Sequence, residues 1–264
     1  MTDRAAALAV LSGLLERSHG VGLRGGSWVT ARLERALDEL SAEAGGVDDA
    51  LALLRSSPER LSALADVLRV GETRFFRDPA HWDALASRAE PWLAQGRLRA
   101  LSVGCSSGEE TWTLAMILAR AAGHTSAARV VGTDRSERAI ATAARGEYPA
   151  SAAEHLPPPL RERYLARSED GARVRVVDPL RQLVTFQVRD ALAGPPPGRW
   201  ELVLCKNVLI YFGDDAAERV VSGLLRALAD DGVLLVARSE VSRVRALGHA
   251  SEELAPGVTV FRAR

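Results

Sequence analysis

Val103-Gly104-Cys105-Ser106-Ser107-Gly108-Glu109-Glu110 joins an apolar strand, Leu98 to Val103, through a small-residue turn to an apolar helix running through Thr113 to Leu118. Glycine and serine allow the sharp turn and a close approach of backbone to ligand, and the start of the following helix presents amide donors with no partner inside it. A dinucleotide fold uses such donors for pyrophosphate, but Glu109 and Glu110 stand where a phosphate would be repelled. Acids here suit a cationic, hydroxyl-bearing ligand. S-adenosylmethionine (SAM) is one, with an ammonium, a sulfonium, ribose hydroxyls and no phosphate. A second reading stands beside this: both glutamates favour the positive end of the helix dipole, and the loop is only a tight strand-to-helix turn.

Two further strand ends carry acids. Arg129-Val130-Val131-Gly132-Thr133-Asp134 reads as a buried strand, and its carboxylate falls roughly 20 to 30 residues after the glycine loop, where nucleotide-binding sheets place the acid that accepts from ribose hydroxyls. Asp134 can instead begin the helix at Arg135-Ser136-Glu137, although Ser136 can cap that helix unaided. A third strand, Leu183 to Val188, leads to Asp190-Ala191. Asp190 either accepts from an adenine amino group or is a solvated strand-end charge.

Composition bounds the rest. The 264 residues are 47% hydrophobic, enough for one substantial core with a satellite domain and too apolar for disorder. Lys+Arg 34 balances Asp+Glu 34, so no global field favours nucleic acid. Cys105 and Cys205 are too few for a disulfide framework and read as buried thiols in a reducing compartment. The five histidines show no ligand spacing, so no metal is expected. No apolar run reaches the ~18 residues of a membrane span. The N-terminus does not resemble a cleavable signal. A cytoplasmic monomer without direct membrane insertion is expected.

Along the chain, Ala5 to Leu15, Val29 to Leu40, Asp48 to Leu54 and Pro58 to Leu68 show helical spacing, which predicts a helical N-terminal domain over residues 1–70. Ser57-Pro58 reads as an N-cap followed by proline at the first helical position. Residues 71–97 read as an interdomain linker and cofactor motif. Over 98–264 strands alternate with helices, predicting a Rossmann-like α/β domain whose parallel sheet is wound with helices on both faces. Between about 147 and 183 the rhythm breaks: Pro157-Pro158-Pro159, a turn at Glu169-Asp170-Gly171 and a β-prone Val174 to Val177 predict an inserted antiparallel β-subdomain.

Gly71-Glu72-Thr73-Arg74-Phe75-Phe76-Arg77-Asp78, the Gly104 to Glu110 loop, Gly132-Thr133-Asp134 and Cys205-Lys206-Asn207-Val208-Leu209-Ile210-Tyr211-Phe212 occur in the order found in the CheR-type chemotaxis receptor methyltransferases, and the chain resembles that family over nearly its whole length. The resemblance implies a SAM-dependent protein-glutamate O-methyltransferase that yields S-adenosylhomocysteine, with a methyl-accepting chemotaxis receptor or similar signalling protein as partner. It places cofactor contacts at Gly71, Thr73, Arg77, Gly104, Glu109, Glu110, Asp134, Asp190, Ala191, Lys206 and Asn207. It places the reaction at Arg77 and Tyr211. Arg77 can fork onto a carboxylate. Tyr211 either orients the substrate carboxylate or satisfies a backbone carbonyl. Phe75 and Phe76 read as core residues pinning the motif. The chain departs from the family pattern at Gly71, often asparagine, at Lys206, usually arginine, at Asp190-Ala191, usually Asn-Leu, and at Thr111-Trp112, commonly Pro-Tyr. Trp112 stacks on adenine or packs in the core. A small-molecule methyltransferase and a SAM-binding regulator without turnover are the alternative functions.

Overall fold

The computed structural model describes residues 4–21, 27–68, 73–96, 98–123 and 128–263. Contacts divide the chain into two units, one made of described residues within 1–70 together with Val208–Arg219, the other of the rest.

The first unit holds α1 (Arg4–His19), α2 (Ser27–Ala44), α3 (Val47–Ser56) and α4 (Pro58–Leu68). Leucines at helical spacing, among them Leu11, Leu15, Leu33, Leu37, Leu54 and Leu68, meet in one apolar core. Helix α4 starts as its sequence predicts: the Arg60 amide donates to Ser57 Oγ at 3.4 Å and Pro58 takes the first helical position.

The second unit begins with α5 (Pro79–Ala94) and then follows the α/β alternation: β1 (Arg99–Val103), α6 (Glu109–Ala121), β2 (Arg129–Asp134), α7 (Glu137–Arg145). The insertion follows, as β3 (Glu147–Pro149), α8 (Pro158–Tyr164), β4 (Leu165–Arg167), β5 (Arg173–Val176) and α9 (Asp178–Arg181). The chain then completes β6 (Val184–Val188), β7 (Trp200–Cys205), α10 (Asp214–Arg226), which straddles the division between the units, β8 (Leu228–Val236), α11 (Val241–Ala246), β9 (Ser251–Ala255) and β10 (Val258–Phe261). Seven strands form the central sheet in the order β6-β2-β1-β7-β8-β10-β9, and β3-β5-β4 form the small antiparallel sheet of the insertion. This is a Rossmann-like α/β fold with a mostly parallel central sheet and a small antiparallel one.

Two features differ from the sequence reading. The sheet is parallel from β6 to β8 only, because β10 runs antiparallel to both β8 and β9. Pro256-Gly257 makes the β9–β10 turn, with Gly257 at φ 74°, and so short a connection can join only antiparallel strands. Residues 71–97, read as a linker, hold the 16-residue α5 in their described part. Trp82, Leu85, Ala89, Trp92 and Leu93 recur at helical spacing along it and are buried in the core of this unit.

Candidate functional site

Topology points to a candidate site. From β1 the chain winds outward through β2 to β6, then returns to β7 on the other side of β1, so strand order reverses between β1 and β7. In open α/β sheets the crevice outside the carboxyl ends of the strands at such a reversal holds the ligand. The loop 104–108 leaves β1 there, Lys206-Asn207 leave β7, Asp134 ends β2 and Asp190 lies just past β6. Gly104, Glu109, Glu110, Asp134, Asp190, Ala191, Lys206 and Asn207 therefore all stand at one end of one sheet.

The loop is wound by left-handed backbone at Gly104 (φ 69°), Ser106 (φ 50°) and Gly108 (φ 96°). It is then pinned to β2: the Cys105 amide donates to the Thr133 carbonyl at 2.9 Å and the Ser106 amide to Asp134 Oδ2 at 2.9 Å. Asp134 Oδ1 accepts from the Ser136 amide at 2.9 Å, while Ser136 Oγ caps α7 by accepting from Ala139. Asp134 thus brackets two turns, with one acceptor site used on each oxygen. A carboxylate offers about four, so further acceptor capacity remains on a half-buried strand-end acid. Glu109 is buried at 8% exposure and accepts from Ser107 Oγ at 2.7 Å. Burial raises its carboxyl above the usual range, against the opposing hydrogen bond from Ser107.

Beside the loop lies a buried charge cluster. Lys206 Nζ is 3.1 Å from Asp78 Oδ2 and 3.5 Å from Glu110 Oε2, donates to the Arg77 carbonyl at 3.4 Å, and sits 5.2 Å from the centroid of the Trp82 ring. Glu110 turns its other oxygen to Ser102 Oγ, which donates at 3.0 Å. The Trp82 indole donates to the same Arg77 carbonyl at 2.8 Å. Burial pushes the Asp78 carboxyl up, and Lys206, helped by His81 and Arg77, more than reverses it, leaving the group below its ordinary value. Burial and the nearby ammonium hold the His81 imidazole below its own ordinary value. Next along the chain, Asn207 takes a left-handed conformation (φ 58°) and its amide donates to Glu240 Oε2 at 2.8 Å, an oxygen that also accepts from the Ala237 amide. Among the described residues four non-glycines have positive φ, Phe76, Asp78, Ser106 and Asn207, and all four belong to these segments, as strain held at functional sites does.

Asp190 Oδ1 accepts from the Leu192 amide at 2.9 Å, and Asp190 and Ala191 line a pocket with Val103 and Thr133 at the strand ends. Thr73 and Arg77 are half-buried. Gly71 lies outside the described residues. Tyr211 is buried in a short turn, Leu209–Tyr211, that groups with the helical unit. Phe75 is fully buried and Phe76 stacks on Trp82, as core residues do. Trp112 is packed in the core, its indole donating to the Ala143 carbonyl at 3.1 Å and its ring edge-on to Phe186. No group of side chains among the described residues is arranged to hold a metal.

Three residues of this cluster, Asp78, His81 and Glu240, were not among the site contacts expected from sequence. Asp78 closes the quoted Gly71 to Asp78 motif. A lysine expected beside a buried strand end needs an acid, and that was the available signal.

A model of the family described as CheR methyltransferase, SAM binding domain, matches residues 71–250. The chain belongs to this family. It is 36% identical over 225 residues to a probable biofilm formation methyltransferase WspC of Pseudomonas putida, covering 82% of this chain and 53% of the relative. It is 30% identical to a chemotaxis protein methyltransferase of Listeria monocytogenes, covering 71% of each, and 30% identical to chemotaxis protein methyltransferase 2 of Pseudomonas aeruginosa, covering 80% and 77%. The chain spans about half the length of the WspC relative. The CheR-family match runs through the glycine loop, Asp134, Lys206-Asn207 and the insertion. No described helix is long and apolar enough to cross a membrane.

Proposed function

We propose that this CheR-family chain transfers a methyl group from SAM to glutamate side-chain carboxylates of a signalling protein, forming the methyl ester and S-adenosylhomocysteine. The observation that carries the reading is the strand-end crevice itself, where Asp134 and Asp190, both half-buried, the buried Glu109 and the mostly buried Glu110 converge at the reversal of strand order, with the Lys206 ammonium already held by Asp78 and Glu110. Asp134 fits the ribose hydroxyls through its remaining acceptor sites, Glu109 the ammonium, and Asp190-Ala191 the adenine. Glu110 and Lys206 support this set from behind, since each is already engaged by the other. Arg77 is assigned to the substrate carboxylate.

When bound, SAM supplies a methyl made electrophilic by the sulfonium. The protein needs little acid or base of its own, because a glutamate is already ionised at neutral pH. Its residues position and dehydrate. Holding a nucleophile at attack distance lowers a barrier by about 7 kcal/mol or more in ideal cases. The Lys206 node serves that end by fixing the Arg77 carbonyl, and with it the start of the arginine's side chain.

Relatives named for chemotaxis and for biofilm formation make a signalling receptor the proposed substrate, with either output. Labelled methyl from SAM is supplied to membranes carrying candidate receptors, and the product is treated with base. Volatile labelled methanol identifies a carboxyl methyl ester. A base-stable label, or label found only in small molecules, excludes this reading.

A further inference from the structure

Tyr148 belongs to the insertion, yet its hydroxyl acts outside it. It is the middle residue of β3, paired with Val174 of β5, and only 3% exposed. Its hydroxyl donates to the Ser107 carbonyl at 2.7 Å, in the loop that leaves β1. Its ring meets Phe75 edge-on, with centroids 5.0 Å apart at 82°. The loop presses close at this point: a Cβ on Gly108 would lie 2.7 Å from Ala143 Cβ and 3.2 Å from the Tyr148 hydroxyl. The loop's amide bonds from Cys105 and Ser106 both run to β2. The bond at Ser107 comes instead from the inserted sheet.

We propose that Tyr148 is a positioning residue for SAM: its hydroxyl orients the Ser107–Gly108 peptide and so sets the shape of the loop at the cofactor crevice. The insertion is then part of the cofactor site as well as a separate sheet. Burial, with Glu109 nearby, drives the phenol far above its ordinary range, so the hydroxyl stays a donor at any working pH. The assignment rests on the SAM reading above.

The test is Tyr148→Phe, which keeps the ring against Phe75 and removes only the hydroxyl, compared with Val174→Ala, which thins the same small sheet and keeps it. Calorimetry with S-adenosylhomocysteine and steady-state methyl transfer are measured alongside melting curves. Losing a bond to a buried carbonyl should weaken binding about tenfold. For Tyr148→Phe the dissociation constant and the KM for SAM rise by that factor and the melting temperature falls modestly, because the Ser107 carbonyl loses its donor, while kcat at saturating SAM stays close to wild type. Val174→Ala melts lower and binds normally. Wild-type affinity in Tyr148→Phe overturns the proposal, as does equal loss of affinity in both variants, which would make Tyr148 a packing residue only. Failure of the wild type to bind S-adenosylhomocysteine is a separate result that removes the SAM reading and this assignment with it.

Discussion

Lys206 Nζ lies 3.1 Å from Asp78 Oδ2 with only 1% of the lysine side chain exposed, joining the end of β7 to the residue before α5. Glu110, 13% exposed, closes the cluster from α6. One ammonium thus ties three segments at the strand-end crevice. Removing it strands two acids. Breaking a buried pair costs about 3 to 5 kcal/mol, but Asp78 is still 42% exposed, so Lys206→Met should cost about 2 to 4 kcal/mol in urea unfolding. A loss under about 0.5 kcal/mol would show that the cluster contributes nothing measurable.

His81 gives the fold a pH dependence. Its pKa in the folded state is lowered from 6.5, so the unfolded chain takes up a proton first on acidification. The stability from the neutral imidazole is therefore present above about pH 6.5 and lost as pH falls from there toward the folded value. Wild-type melting temperature should fall over that window, and His81→Asn should flatten the fall. An unchanged slope in the variant would assign the titration elsewhere.

Glu109 has the opposite sign. Its folded pKa is raised from 4.5, so the native state holds the extra proton and stability declines as pH rises through that window, leaving a cost at neutral pH. Glu109→Gln should melt higher than wild type at pH 7 and bind SAM less tightly, a stability gained at the expense of the site. If affinity is retained, Glu109 serves the helix dipole alone.

Much of this was legible in the chain. Helix α7 was expected at Glu137 to Arg145 and is found there, because Ser136 caps it and Gly146 ends it in the left-handed region. The glycine loop was recognisable because its strand is apolar and the next helix follows at once. Helix α5 was not. Pro79, Pro91, His81 and several charges hide its apolar stripe, and only tertiary packing of Trp82 and Trp92 reveals it. The β9–β10 hairpin escaped because Ser251-Glu252-Glu253 is too polar to read as a strand. Within the site, strand-end acids follow from strand order. The partners of Lys206 do not, since Asp78 lies 128 residues away and no local pattern links them.

Arg77 is the residue assigned to orient carboxylate. Arg77→Lys keeps charge and loses bidentate geometry, so kcat/KM should fall by at least about tenfold with an unchanged melting curve. The backbone bonds its carbonyl accepts from Trp82 and Lys206 survive the substitution. Undiminished turnover would move the reaction centre away from Arg77.

Acids at the carboxyl ends of β1 and β2 are proposed to hold SAM, and titration calorimetry of SAM against wild type and Asp134→Ala separates that role from a structural one. A charge-assisted bond to a ligand is worth about 1.5 to 3 kcal/mol, so one site of micromolar-range affinity should weaken roughly ten- to a hundredfold in the variant. Equal affinity in both proteins would contradict the claim, leaving Asp134 as a bracket for the Ser106 and Ser136 amides alone.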